Sequence, residues 1–267
     1  MNHHSASIYH SIPSDLDQKI DICIQDACDR LDTKDNGYIF FRADDVAVPS
    51  RQFSRLTKLF NLYRVPLALS IVPAWLTGAR WEQLKKSGQK TPDLMCWHQH
   101  GWRHINYEKE GKKQEFGPNR SHDKIRKDII NGRDRLEILM ENSFYPVFTP
   151  SWNRCSLTTL NVLKELGYYA VSRIKGSRPP SPNGLVDFQI NIDLHTRKGT
   201  NPIEDWDCLF TELSQAISSG TCGVMIHHQR MTDAAFNFLD LFLKTVVKRK
   251  DLIPVHFKEM ITTEACC

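Results

Sequence analysis

The sequence predicts an α/β domain in which a parallel sheet is covered by helices. Two observations carry that expectation. Short apolar runs of strand length alternate with amphipathic stretches of helix length from Ser14 to Phe257. The 267 residues are 40% hydrophobic and 25% charged, a globular balance with enough chain to bury one large core. The alternation admits either a barrel or an open doubly wound sheet. There is no internal repeat and no low-complexity stretch, and the one Pro/Ser/Gly-rich segment, Gly176 to Gly184, reads as a surface loop.

Element by element, Ser14 to Leu31 reads as a helix, with Leu16, Ile20, Ile24, Ala27 and Leu31 at helical spacing and Ser14 as N-cap. Asp35-Asn36-Gly37 makes a turn into a buried strand, Tyr38 to Phe41. Gln52 to Tyr63 is a helix, Pro66 to Val72 a second strand, and a helix follows around Trp81 to Lys86. Leu94 to Trp97 is a third strand, His122 to Asn142 a long helix, and Pro146 to Phe148 a fourth strand. Leu157 to Leu166 is a helix stopped by Gly167, Tyr168 to Ser172 a fifth strand, and Val186 to Asp193 a sixth. Trp206 to Ser218 and Ala234 to Val247 are helices around a seventh strand, Gly223 to Ile226, and Ile253 to Phe257 is a last short strand.

Charge and composition narrow the class of function. The net charge of +4 is mild and contains no run of five or six like charges, so neither a nucleic-acid arm nor a membrane-surface patch is expected. Met1 to Ile12 is polar, without the apolar centre of a signal peptide, and no apolar run reaches the roughly 20 residues a spanning helix needs. A cytoplasmic protein with no membrane span and no nucleic-acid partner is the expectation. The eight cysteines match no zinc-knuckle spacing and fit free thiols in a reducing compartment.

The unusual polar groups recur just after the buried strands. Asp44-Asp45 follows the first, His98, His100 and His104 the third, Trp152-Asn153-Arg154 the fourth, Asp193 and His195 the sixth, and His227-His228 the seventh. In a parallel sheet all these strand ends share one face, where active sites are built. Adjacent carboxylates repel, and a cation would remove that cost; taken alone, the pair equally suits a turn or helix cap. His100 and His104 at i, i+4 suggest one side of a helical turn, from which both imidazoles reach one metal. One Asp with two His makes a three-ligand set that leaves a coordination position open. A strand-end His227 suits general acid-base work, although a structural His pair is the plainer reading of His227-His228 taken alone. Trp102 and Trp152 could stack on a sugar, although aromatics are more often core.

Together these motifs resemble the polysaccharide deacetylase family, with the chitin-oligosaccharide deacetylase homology, and more closely a bacterial branch associated with glycan biosynthesis. The stretches that carry the resemblance are Pro66 to Leu76, His98 to Tyr107, Lys112 to Arg120, Thr149 to Arg154 and Gly223 to His228. It implies a distorted (β/α)7 barrel as a single domain over residues 14–260, with a flexible N-terminus (1–13) and a C-terminal tail (261–267). It implies hydrolysis of an acyl group, N-acetyl first, from a sugar, glycan or nucleotide-sugar. Asp45, His100 and His104 would hold a divalent metal, Zn²⁺ first and Co²⁺ or Ni²⁺ as alternatives. Asp44 would be the base and His227 the acid, with His228 as its alternative; Trp102, Trp152, Asn153 and Asp193 would face the substrate. The chain departs from the family pattern at Phe148, where many members carry an arginine that orients the base. Arg154 and Arg42 are the candidates to replace it. Asn191-Ile192-Asp193 stands where the closer branch has His-x-Asp. The rivals are an inactive glycan-binding relative and a metal-dependent amidase acting on a non-sugar.

Overall fold

A computed structural model describes residues 5–31, 36–88 and 91–264. Nine parallel-paired strands form one sheet: β1 (Gly37–Val46), β2 (Leu67–Ile71), β3 (Met95–His100), β4 (Phe144–Thr149), β5 (Ala170–Ile174), β6 (Val186–Ile190), β7 (Ile192–Asp193), β8 (Thr221–Ile226) and β9 (Leu252–Pro254). Their order is β6-β5-β4-β3-β2-β1-β8-β7, with β9 added to the start of β1. The predicted sixth strand is the seam of the barrel. Its first part, β6, pairs with β5, and after a break at Asn191 its second part, β7, pairs with β8. One stretch of chain therefore joins both edges. Asn191 fastens the break: its N–H donates to the Gly223 carbonyl, and its side chain accepts from Gly223 N–H, both at 2.8 Å. Counting β6 and β7 as one staple, and setting aside the short β9 that pairs only with the start of β1, the result is the distorted seven-stranded barrel, in a single domain.

Among the described residues eight α-helices surround it: α1 (Leu16–Cys28), α2 (Arg51–Tyr63), α3 (Gly78–Gly88), α4 (His122–Met140), α5 (Leu157–Glu165), α6 (Pro202–Ser218), α7 (Asp233–Val246) and α8 (Phe257–Glu264). Several start on side-chain caps. Ser50 accepts from Phe53 N–H, Ser156 from Thr159 N–H and Thr232 from Ala235 N–H.

The period-2 alternation of strands sorts their side chains between two cores. Ile39, Phe41, Leu67, Leu69 and Ile71 face out, against apolar faces of the helices. Phe40, Ala68, Cys96, Val147, Ala170 and Phe188 form a second cluster inside the barrel, closed at its base by Phe257, which stacks on Phe188 at 5.1 Å. Two residues further along the inward rows the side chains turn polar: Arg42 on β1, Ser70 on β2, His98 on β3, Thr149 on β4 and Ser172 on β5, all buried. The barrel thus changes from apolar at the base to polar beneath the strand ends.

Several boundaries differ from expectation. β1 runs on through Asp44 and Asp45, because its upper half pairs with both β2 and β8. β3 runs to His100, so His98 and His100 lie within the strand and not beyond it. The last strand stops at Pro254, and α8 occupies the residues after it. Segments assigned as a free N-terminus and tail contribute to the barrel's surroundings. Ser7–His10 forms a turn of 310 helix with Ile8 and Tyr9 buried, and α8 extends to Glu264. The turn expected at 35–37 begins at Asp35, outside the described residues, as do Cys266 and Cys267.

Candidate active site

The site sits at the C-terminal strand ends. Within β1 the register with β2 shifts between Ala43 and Val46, and Asp45 takes a left-handed backbone (φ 58°). That irregularity lets adjacent carboxylates serve different partners. Asp44 points into the barrel, almost fully buried, and meets Arg42 two residues earlier on the same inward row. Arg42 Nε and Nη2 each donate to one Asp44 oxygen at 2.8 Å, a two-pronged pair. The rest of the guanidinium is also fixed. Nη1 donates to the Ser172 carbonyl (2.9 Å) and hydroxyl (2.7 Å), and Nη2 to Asn153 Oδ1 (2.6 Å). Burial opposes ionisation of Asp44. The Arg42 charge, then those of His100 and His227, outweigh it and hold its carboxyl below the usual range. Arg42 is therefore the arginine that orients Asp44, from β1 and not from the β4 position that Phe148 occupies. Phe148 packs instead on Phe116 and Tyr168.

Asp45 faces two imidazoles. Its Oδ1 lies 3.2 Å from His100 Nε2 and 3.2 Å from His104 Nε2, and its Oδ2 lies 4.0 Å from His227 Nε2. Asp45, His100 and His104 are a group among the described residues whose ligand atoms all lie within 4.8 Å of one another. The set fits a small divalent cation. Ligands about 2.1 Å from a tetrahedral ion stand about 3.4 Å apart, close to the spacing seen. His100 Nδ1 is 3.0 Å from the Thr149 carbonyl, which makes it the protonated nitrogen and aims the Nε2 lone pair at Asp45. Such an arrangement calls for a positive charge between the three groups. Burial disfavours a charged His100, but Asp45 and Asp44 outweigh it and raise its pKa; His104, buried beside His100, is lowered to about 4. Burial likewise opposes a charged Asp45, and the hydrogen bond and charge of His100 reverse that and lower its pKa.

His100 and His104 do not share a helical turn, contrary to the spacing argument. No helix follows β3: Gly101 (φ 56°) and His104 (φ 58°) both take left-handed backbone, and the chain doubles back. A bond from Gly101 N–H to the Thr149 carbonyl (3.0 Å) ties the turn to β4. Its other anchor is Glu115, which the sequence reading passed over inside Lys112 to Arg120. This fully buried carboxylate accepts from the backbone N–H groups of Trp102 (3.2 Å), Arg103 (2.6 Å) and His104 (3.1 Å), and from the Ser151 hydroxyl (2.7 Å).

Other expected site residues divide. Trp152 (φ 57°) and Trp75 flank His104, with ring centroids 4.3 and 5.7 Å from it. Trp75 was missed, since it lies three residues past the end of the second predicted strand. Trp102 packs against the cluster around Phe116 and Ile125, not on the rim. Asn153 is buried and holds Arg42. Asp193 caps its own turn, accepting from His195 and Thr196 N–H at 3.0 and 2.9 Å. Arg154 reaches the Lys113 carbonyl (3.5 Å) and makes no contact with Asp44. His228 turns into the core, edge-on to Phe53 at 5.5 Å, and burial lowers its pKa to about 4. His98, hydrogen-bonded to Thr149 Oγ1 (2.9 Å), is pushed by burial and then Arg42 to about 3 and is a core residue. Gln229, unexpected, donates to the Asp45 carbonyl at 2.7 Å.

No family model matches the sequence, and no curated protein does. Solved structures do. A protein from Mycobacterium smegmatis, described as a candidate polysaccharide deacetylase, superposes with a TM-score of 0.63 at 14% identity, over 86% of this chain and 91% of that one. The chain has the polysaccharide deacetylase fold. A family 4 acetyl xylan esterase from Clostridium thermocellum, solved with a cobalt ion, gives 0.52 at 14% identity, over 85% and 92% of the two chains. A family 4 carbohydrate esterase pseudoenzyme from Bacillus anthracis gives 0.52 at 11% identity, over 86% and 66%. At these identities the likeness establishes the polysaccharide deacetylase fold alone, since one fold hosts many chemistries. No described helix is long and apolar enough to cross a membrane.

Proposed function

We propose that the protein is a metal-dependent hydrolase that removes an acyl group, N-acetyl first, from a sugar or glycan precursor. The observation that carries the reading is the division of labour between adjacent carboxylates. Asp45 is shared by His100 and His104, while Asp44 is pinned by Arg42 beside them. A divalent ion, Zn²⁺ first and Co²⁺ or Ni²⁺ as alternatives, held by Asp45, His100 and His104, supplies Lewis acidity toward an acyl oxygen and acidifies water. Asp44, kept anionic, accepts a proton from the attacking water as that water's oxygen bonds to the acyl carbon. His227 Nε2, on the other side of Asp45, gives a proton to the leaving nitrogen or oxygen as its bond to carbon breaks. Trp152 and Trp75 form an aromatic wall at His104 on which a sugar face can rest.

Elemental analysis of wild type and His104→Ala, with deacylation assays on acylated sugars and nucleotide-sugars, tests this. The expected result is about one divalent ion per chain, lost in His104→Ala. Asp44→Asn keeps the metal but loses about 10²- to 10⁴-fold in turnover, the usual contribution of a general base. Wild type without metal after reconstitution overturns the reading. The likeness in fold to a solved pseudoenzyme favours a second reading, a glycan-binding protein without turnover; metal and sugar binding with no deacylation would select it.

A further inference from the structure

We infer that Glu115 is a positioning residue for the metal site, resting on the reading above: its carboxylate fixes both the turn that carries His104 and the loop that carries Trp152. Glu115 is fully buried, and no described salt bridge offers it a cation. Its charge is met by three successive backbone N–H groups, those of residues 102 to 104, and by the Ser151 hydroxyl. Successive N–H groups converging on one anion form a cradle of the kind that binds phosphate elsewhere; here the chain supplies its own anion.

The geometry shows what the carboxylate does there. Without it the three part-buried N–H groups would lose their common acceptor, and the left-handed His104 would lose what compensates its strain. The same oxygen that takes Trp102 N–H takes Ser151 Oγ, so β3's exit and β4's exit are tied through one side chain. Gly101 completes the fit. A Cβ there would collide with Glu115 Oε2 and lie 2.6 Å from Ser151 Oγ, so only glycine leaves room for the carboxylate. Residues 105–114 form a loop closed on itself by Asn106 Oδ1, which accepts from Glu108 and Gln114 N–H. Arg120, paired with Asp128 at 2.6 Å, donates to the Glu115 carbonyl at 3.1 Å and so ties the Glu115 backbone to α4. Glu115 stands where this loop, the His104 turn and the Ser151 turn meet.

The test is metal affinity and the visible spectrum of the Co²⁺-loaded protein, measured on wild type, Glu115→Gln, Ser151→Ala and Asp128→Asn, each checked for folding. Partners that orient metal ligands typically change affinity about 10- to 100-fold. Glu115→Gln is expected to lose affinity in that range and to alter the Co²⁺ bands, which report ligand geometry and not fold stability. Ser151→Ala, which removes one of the four donors and leaves the carboxylate in place, is expected to lose affinity in the same direction by a smaller factor. Asp128→Asn, which weakens the hold of α4 on Arg120 and leaves the Glu115 carboxylate with all its donors, is expected to lower thermal stability while changing affinity and spectrum less than either of the other variants. Wild-type affinity and spectrum in both Glu115→Gln and Ser151→Ala overturn the inference, as does an equal loss in Asp128→Asn. Wild type that binds no metal overturns the proposed function instead, a result visible before any Glu115 variant is read. Should Glu115→Gln fail to fold, Ser151→Ala alone decides.

Discussion

At the scale of single residues, the pairing of Arg42 with Asp44 fixes the Asp44 carboxylate in place and carries a large stability cost if broken. Both groups are out of water, and the pair is completed by Ser172 and Asn153. Removing the cation strands a buried carboxylate, so Arg42→Ala is expected to destabilise the protein by about 3–5 kcal/mol, read from urea unfolding. Arg42→Ala/Asp44→Ala together should recover much of that, since the uncompensated charge is gone. A single-variant loss below about 1 kcal/mol, the level of a surface pair, would show that the pair is not dry in solution. Residue type together with strand-end placement singled out Asp44, Asp45, His100 and His104 in the sequence, and the barrel brings them to one place. The sequence could not say which arginine serves Asp44, because a guanidinium two residues upstream on one strand face and another beyond β4 look equally available until the barrel is closed.

At the scale of elements, the strand ends differ in what they do with histidine. His227 faces Asp45, and its neighbour His228 faces Phe53, as the alternation of a strand demands even just past its end. His195 is buried between Tyr9 and the backbone of His227, its Nδ1 accepting that residue's N–H at 3.2 Å. Burial holds His195 and His228 neutral, with pKa values below the unfolded value of about 6.5. The unfolded chain therefore binds these protons first as pH falls. Their contribution to stability is complete above about pH 6.5 and declines by about 1.4 kcal/mol per pH unit for each residue below it, ending for His228 at its folded pKa of about 4. Urea unfolding at pH 7, 6 and 5 should show that slope; equal stability at all three would mean that neither ring is held neutral. The helical reading of His100 and His104 failed at this scale. Spacing of four fits a helix or a tight left-handed turn, and what selects the turn, Glu115, lies eleven residues beyond His104 in the sequence.

At the scale of the whole molecule, the alternation of apolar runs and amphipathic stretches was sufficient to read a helix-covered parallel sheet, because inward and outward faces are both buried and every strand carries that mark; the choice of a closed barrel over an open sheet rested on the family resemblance. The seam was not legible. Val186 to Asp193 looks like one strand, and only the two partners, β5 and β8, show that it is split. Nor was the role of residues 5–13, whose polar composition hides two anchors. Ile8 is fully buried, and Tyr9 packs on His195, Trp206 and Phe238. Tyr9→Ala is expected to cost about 3 kcal/mol, as for other buried aromatics. Tyr9→Phe should cost nothing or stabilise slightly, because the Tyr9 hydroxyl is buried with no partner among the described residues. Thermal unfolding of the two variants checks both signs.

The seam also orders events during synthesis. The metal triad and Glu115 all lie between residues 45 and 115, and Arg42 is two residues from Asp44. The β1–β8 pairing that brings His227 to Asp45 joins positions 183 residues apart, such as Arg42 and Met225. A growing chain therefore exposes its ligands on the ribosome long before it can shut the ring around them, and contacts of such range form slowly. Only when the seam and β8 have emerged do Asp44 and His227 come together beside Asp45. On the proposed reading, a chain halted short of β8 has the groups to hold a cation and lacks the one that releases a product.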